Sequence, residues 1–185
     1  MYVFIGRLVK DKGIRELITA FKTLQQRHKH AKLLLVGPLE QDLDPLPQEA
    51  LNEIKQNPAI LSVGFQNDVR PYLAISQALT FPSYREGFPN VPMQAGCFDL
   101  PSIVTDINGC NEIVLEGENG LIIPSKSSDA LLYAMERLIE DSSLYEHLKM
   151  NARRMIVERY DQEHFWELLY QEYQTHLRNH EVAVS

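Results

Sequence analysis

Cysteine is scarce in this chain. Of 185 residues only Cys97 and Cys110 carry thiols. Neither stands at metal-ligand spacing from a histidine, so they are read as reduced thiols, not as a disulfide framework or a zinc site. Positive charge is also in short supply. Lys and Arg number 18 against 25 Asp and Glu, a formal net charge of -7 with a pI near 5.4. Binding to phosphate backbones needs clustered basic side chains, which excludes nucleic acid as the main partner but leaves room for a local basic spot and a small anion. Long apolar runs are missing: none reaches the length of a membrane span, and no signal peptide precedes the first strand-like run. A cytoplasmic location is the expectation. There is no internal repeat, low-complexity tract or linker. Met1 falls almost directly on the strand-like run Tyr2-Val3-Phe4-Ile5, and the chain is read as a piece of a longer protein.

What is present is a regular alternation. At 44% hydrophobic, the chain suits one domain with a substantial core. Strand-like runs fall at 2–5, 32–36, 60–63, 78–81 and 102–104, with another at 121–123 after the Asn119-Gly120 turn signal. Between them, Ile14, Leu17, Ile18, Phe21 and Leu24 recur at helical spacing, and helices are expected near 48–55, 69–75, 91–98 and 111–115. Two further stripes close the chain: Ala130, Leu131, Ala134, Leu138 and Ile139, then Phe165, Leu169, Tyr173 and Leu177. Continuous apolar strands separated by amphipathic helices predict a parallel sheet covered on both faces. The expected fold is α/β: a Rossmann-like, doubly wound parallel sheet with additional C-terminal helices. Such sheets bind ligands in the loops beyond the carboxyl ends of their strands.

Two of those loops carry chemistry. Gly6-Arg7-Leu8-Val9-Lys10-Asp11-Lys12-Gly13 combines a glycine turn, basic side chains and the approach to a helix, a combination that suits phosphate. Each charge-assisted hydrogen bond there contributes on the order of 1.5–3 kcal/mol. The same residues also make an ordinary solvated basic turn. They do not spell either the dinucleotide Gly-x-Gly-x-x-Gly loop or the Gly-x4-Gly-Lys-Ser/Thr loop. The second loop, Pro82 to Asn90, precedes the Val91–Phe98 helix and carries Glu86, whose carboxylate is a good acceptor for paired sugar hydroxyls. By composition alone it is a capped loop with an acid facing water.

An ordered set of segments gives these loops a family likeness. The set comprises Phe4-Ile5-Gly6-Arg7-Leu8 with Lys12-Gly13-Ile14, Leu34-Leu35-Val36-Gly37, Gly64-Phe65-Gln66-Asn67-Asp68-Val69, Pro82 to Asn90, Gly109 to Val114, and Gly117 to Leu121. Together they resemble the C-terminal domain of the retaining, GT-B-fold glycosyltransferases of family 4, which build many bacterial surface polysaccharides. The likeness covers nearly the whole chain. It implies one half of a GT-B fold, with the acceptor-binding N-terminal domain absent. Arg7 and Lys12 match the basic pair that holds the donor diphosphate. Glu86 matches the catalytic glutamate that contacts the transferred sugar, and Gly87, Phe88, Pro89 and Asn90 match the loop lying against sugar and phosphates. The family needs no metal or cofactor; its substrate is a nucleotide sugar, and its acceptor a saccharide or a lipid-linked saccharide. Peripheral membrane association of the full-length protein, at the inner face, is in keeping with such acceptors.

One position departs from the pattern. Eight residues after Glu86 the family usually carries a second glutamate for the donor ribose, and here stands Gln94. An amide accepts more weakly than a carboxylate, by about 1 kcal/mol, so Gln94 is kept as a weakened ribose contact. The substitution gives some weight to a non-catalytic sugar-nucleotide-binding subunit. A nucleotide-sugar epimerase shares the two-lobed architecture and is the other alternative.

Other features are read blandly. Asp42-Leu43-Asp44 spells a metal-binding string but falls in a strand-to-helix loop. His28, His30, His147, His164, His176 and His180 form no ligand set. Glu112 either approaches the donor or caps its own helix, and Phe65 either lines a base pocket or belongs to the core. Tyr160, Phe165, Trp166, Leu169, Tyr170 and Tyr173 are read by default as core packing; in GT-B enzymes the last helix often crosses back to the N-terminal domain, and with that domain absent the alternative is that part of this face lies exposed.

Overall fold

The structure, a computed structural model, describes residues 1–183 apart from 41 and 43, with side chains described as far as 177. Six strands form one parallel sheet: β1 (Tyr2–Ile5), β2 (Leu33–Val36), β3 (Ile60–Ser62), β4 (Ala78–Phe81), β5 (Ser102–Thr105) and β6 (Gly120–Ile123). Every residue of β1, β2, β4 and β5 is buried, which is why β1 and β2 read as continuously apolar instead of alternating, with buried Thr80, Ser102 and Thr105 the polar members of β4 and β5. Their order across the sheet is β3-β2-β1-β4-β5-β6, the doubly wound order in which the chain reverses direction between β1 and β4.

Helices α1 (Ile14–Arg27), α2 (Gln48–Gln56) and α6 (Ser128–Glu140) pack together on one face. On the other lie α4 (Asn90–Cys97), α5 (Cys110–Ile113) and α7 (Ser142–Tyr160), while the short α3 (Arg70–Ala74) carries the chain from one half to the other. The predicted stripe of α1 is buried along its whole length. Helix α6 starts where the Ser127 hydroxyl accepts the Ala130 N–H, and α7 where Asp141 accepts that of Leu144. Element boundaries differ from the sequence reading by a residue or so; Gly120, expected in a turn, is the first residue of β6, paired with Ser102.

Helix α8 (Gln162–Ala183) corrects one expectation. Phe165, Trp166, Tyr170, Tyr173 and Leu177 are exposed, not packed in the core, and Leu169 is half-buried. The reason is geometric: α8 runs on from α7 without lying along any other described element, so its apolar face has nothing to pack on. Tyr160, at the end of α7, is partly buried against the core.

Gly13 joins the β1 loop to α1 at φ 69°, in the left-handed region, and a Cβ there would sit 2.0 Å from the Pro82 carbonyl oxygen. Gly13→Ala therefore suffers both backbone strain and a backbone clash. A loss of about 2–4 kcal/mol is expected by urea denaturation. An unchanged midpoint would show that the two loops part freely.

Candidate ligand site at the switch point of the sheet

The loops that leave β1 and β4 flank the point where strand order reverses. The β1 loop bends through a single 3-10 turn at Lys10–Lys12 before α1. The Asp11 N–H donates to Asp44 Oδ2 at 2.7 Å, which ties this loop to the one after β2. The Asp11 carbonyl in turn accepts the Tyr84 N–H at 2.8 Å, and its carboxylate faces Arg85 at 3.3 Å. Asp44, part of the suspected metal string, is thus used as a loop tie; Leu43 lies outside the described residues. Among the described residues no group of three or more metal-type ligands gathers anywhere.

The β4 loop is held from three sides. Ser83 is fully buried, and its carbonyl accepts the Thr105 hydroxyl from the end of β5. The Tyr84 hydroxyl donates to Glu16 Oε2 at 2.5 Å, and Arg15 closes on the other carboxylate oxygen of Glu16 at 2.8 Å. Burial, then the bond to Glu16, holds the Tyr84 hydroxyl above the ordinary phenol range, so it remains a donor. Further along, Gly109, at φ 78°, lies so close to Gly87 that a Cβ would come 2.1 Å from the Gly87 carbonyl oxygen. Glu16 does not figure in the sequence reading, and Thr105 does so only as the start of the strand-end loop Thr105 to Glu112. Glu16 does leave a trace there: it stands at i, i+4, i+8 with Ala20 and Leu24, both buried.

Between the two loops, Lys12 Nζ donates to Glu86 Oε1 at 2.6 Å, each side chain only about 15% exposed. The structure thus joins two of the residues singled out from sequence. Arg7, also singled out, is half-exposed and pairs at 3.2 Å with Glu40, beyond β2. Gly87 and Phe88 are exposed, and the Phe88 ring meets Tyr160 edge-on, with centroids 5.6 Å apart. Pro89 is buried at the N-cap of α4, Asn90 is the first residue of that helix, and Gln94 follows one turn later on the same face, exposed. Glu112 takes the second of its two roles, accepting the Gly109 N–H at the start of α5.

A hollow of about 470 Å³ opens beside Arg7, at the carboxyl ends of β1 and β2, lined by Gly37, Pro38, Phe65, Gln66 and Val69 among others. Phe65, 68% exposed, borders this hollow and is not part of the core. A second hollow of about 650 Å³ lies at the opposite ends of the strands, against Tyr2, His28, Leu138 and Tyr145, and shares no residue with these loops. The described histidines stay scattered, with His28, His147 and His176 each against a different glutamate; the side chain of His180 lies outside the described residues.

With this geometry in place, the comparisons with known proteins bear on the whole sheet. Residues 1–155 match the family described as Glycosyl transferases group 1. The chain belongs to that family. It is 33% identical over 178 residues to the capsular polysaccharide biosynthesis glycosyltransferase CapM of Staphylococcus aureus, covering 96% of this chain and 47% of CapM. It is also similar to an α-1,3-N-acetylgalactosaminyltransferase of Campylobacter jejuni acting on N,N'-diacetylbacillosaminyl-diphospho-undecaprenol, at 27% identity over 81% of this chain and 38% of that enzyme. The chain thus spans less than half the length of these two curated relatives. Among solved structures, Anabaena HepE in complex with UDP-glucose superposes with a TM-score of 0.83 at 22% identity, over 94% of this chain and 48% of HepE. The C-terminal domain of the group 1 glycosyl transferase LpcC of Francisella tularensis superposes with a TM-score of 0.78 at 25% identity, over 86% of this chain and 85% of that domain. The Rossmann-like fold and the family expected from the sequence both hold.

The buried thiol of Cys110, at the start of α5, reports on the same site. Burial, then the negative charge of Glu86, pushes it up to about 12, with Lys12 pulling the other way. Its folded-state value is raised from the ordinary 9.0, so its contribution to stability is complete below pH 9 and is lost as pH rises from 9 toward 12. Unfolding free energy measured across this window should fall more steeply for the parent than for Cys110→Ala. Native protein should expose one thiol, that of Cys97, to a chromogenic disulfide reagent. Equal slopes, or two fast thiols, would contradict this placement.

Proposed function

We propose that this chain is the donor-binding half of a retaining glycosyltransferase. The full protein would move a sugar from a nucleoside-diphosphate donor to a saccharide or lipid-linked acceptor. The observation that carries the reading is the meeting of Lys12 and Glu86 across the switch point of the sheet, a cation and an acceptor at the place where doubly wound sheets take phosphate ligands. A sugar nucleotide laid there has its nucleoside in the hollow beside Phe65, its diphosphate toward Arg7 and Lys12, and its sugar against Glu86 and the backbone of Gly87 to Asn90. Cleavage separates the anomeric carbon from a β-phosphate oxygen, and negative charge grows on the leaving diphosphate. Arg7, Lys12 and the backbone amides of the β4 loop stabilise that charge, so the reading calls for no metal.

The acceptor site belongs, on this reading, to an N-terminal domain, and the relatives' doubled length supports it. The exposed apolar face of α8 is where that domain would dock. No helix among the described residues is long and apolar enough to cross a membrane. On this reading the full-length protein meets a lipid-linked acceptor by peripheral association at the inner face. The names of the relatives, all transferases, favour transfer over epimerisation.

Calorimetric titration of the chain with UDP-, GDP- and ADP-glucose tests the donor site. One of the three should bind, with UDP-glucose the leading choice because HepE holds it. Gln94→Ala should weaken that binding about fivefold, about 1 kcal/mol, if Gln94 meets the ribose. Absence of binding to all three overturns the donor-site reading. In the full-length protein, an epimerised donor as sole product, or binding without turnover, would select the epimerase or the non-catalytic subunit instead.

A further inference from the structure

The pairing of Lys12 with Glu86 has a consequence for product release, and the inference rests on the donor-site reading above. Lys12 Nζ, expected to hold the diphosphate, donates at 2.6 Å to the carboxylate expected to hold the sugar. Both side chains are about 85% shielded from water, so their charges act on each other with little screening. A bound diphosphate therefore approaches a lysine whose charge is already partly neutralised, and it lies beside a carboxylate of its own sign. An intact sugar nucleotide offsets that cost, because its hydroxyls donate to Glu86. After transfer the sugar is gone, and the nucleoside diphosphate keeps the repulsion without the hydrogen bonds.

We propose that Glu86 acts as an internal competitor for Lys12 and biases the site toward intact donor over spent nucleoside diphosphate. The carboxylate thus contributes to product ejection as well as to sugar recognition. Lys12 has three N–H donors, so it bridges phosphate and Glu86 while donor is present and returns fully to Glu86 when the nucleotide leaves. The Cys110 thiol, raised first by burial, then by the Glu86 carboxylate, with Lys12 pulling the other way, lies within reach of both charges.

The test compares Glu86→Gln with the parent chain by calorimetry, using UDP, GDP and ADP and the glucose conjugate of each. Glu86→Gln keeps the shape and removes the charge. The nucleoside diphosphate that binds should tighten roughly fivefold, the scale of one partly screened ion pair, while its glucose conjugate stays level or weakens. In a Lys12→Ala background the gain should shrink to the part that direct repulsion supplies, since the competition runs through that lysine. Thermal unfolding of each variant confirms that the compared proteins are folded. A diphosphate affinity unchanged or reduced in Glu86→Gln overturns the inference while leaving the donor site intact, as does a gain equally large without Lys12. Failure of all six compounds to bind the parent chain removes the donor-site reading and the inference together.

Discussion

The contact on which the site depends is the approach of the β1 loop to the β4 loop. Gly13 lies close against the Pro82 carbonyl, and two residues away on each loop the Tyr84 N–H donates to the Asp11 carbonyl. These are backbone contacts between segments some 70 residues apart in sequence, and they hold the two loops at close approach. Side chains then build on a frame that is already set. Lys12 comes from one side of the contact and Glu86 from the other, and they reach each other because the backbones beneath them cannot separate.

Electrostatics at this end of the sheet run against the composition. The chain as a whole is acidic, yet Arg7, Lys10, Lys12, Arg15, Arg85 and Lys126 gather on the loops around β1 and β4 or close beside them. Most are answered by a carboxylate: Arg7 by Glu40, Lys12 by Glu86, Arg15 by Glu16, Arg85 by Asp11. Such a rim is close to neutral, and an anionic ligand must exchange partners in order to bind. On the donor-site reading, attraction for phosphate is therefore moderate and favours ligands able to re-satisfy the displaced acids. Hydroxyl-bearing anions, such as a sugar diphosphate, meet that requirement better than bare phosphates.

Much of this was legible in the sequence, for a definite physical reason. Parallel strands buried on both faces leave continuous apolar runs, and α1 carries its stripe at helical spacing, so both announce themselves locally. The loops at the strand ends were found because glycines and basic residues cluster there. What the sequence hid was the pairing. Nothing local says that Lys12 meets Glu86 or that Glu16 holds Tyr84, because each pair joins distant segments through the reversal of strand order. Helix α7 falls in the stretch read as helical, but its buried face was hidden: Leu148, Ala152, Met155 and Ile156 sit within a largely polar sequence, and their partners lie on α4. The aromatic face of α8 misled because amphipathic spacing marks a face that wants a partner without saying whether this domain contains one.

Stability alone is a weak explanation for the Lys12–Glu86 pair. A largely shielded ion pair loses much of its Coulomb attraction to desolvation, and apolar residues of similar volume commonly stabilise a fold as well or better. The loops are already held by Gly13, Tyr84, Ser83 and Thr105, none of which needs the pair. Two desolvated charges at the one point of the sheet where strand order reverses are better understood as groups kept ready for another partner. Their mutual bond keeps each satisfied and oriented, at an energy low enough for a ligand to replace it. A stronger clamp would close the site, and an unpaired lysine would hold the spent nucleotide. On the donor-site reading, the intermediate arrangement is the one that permits turnover.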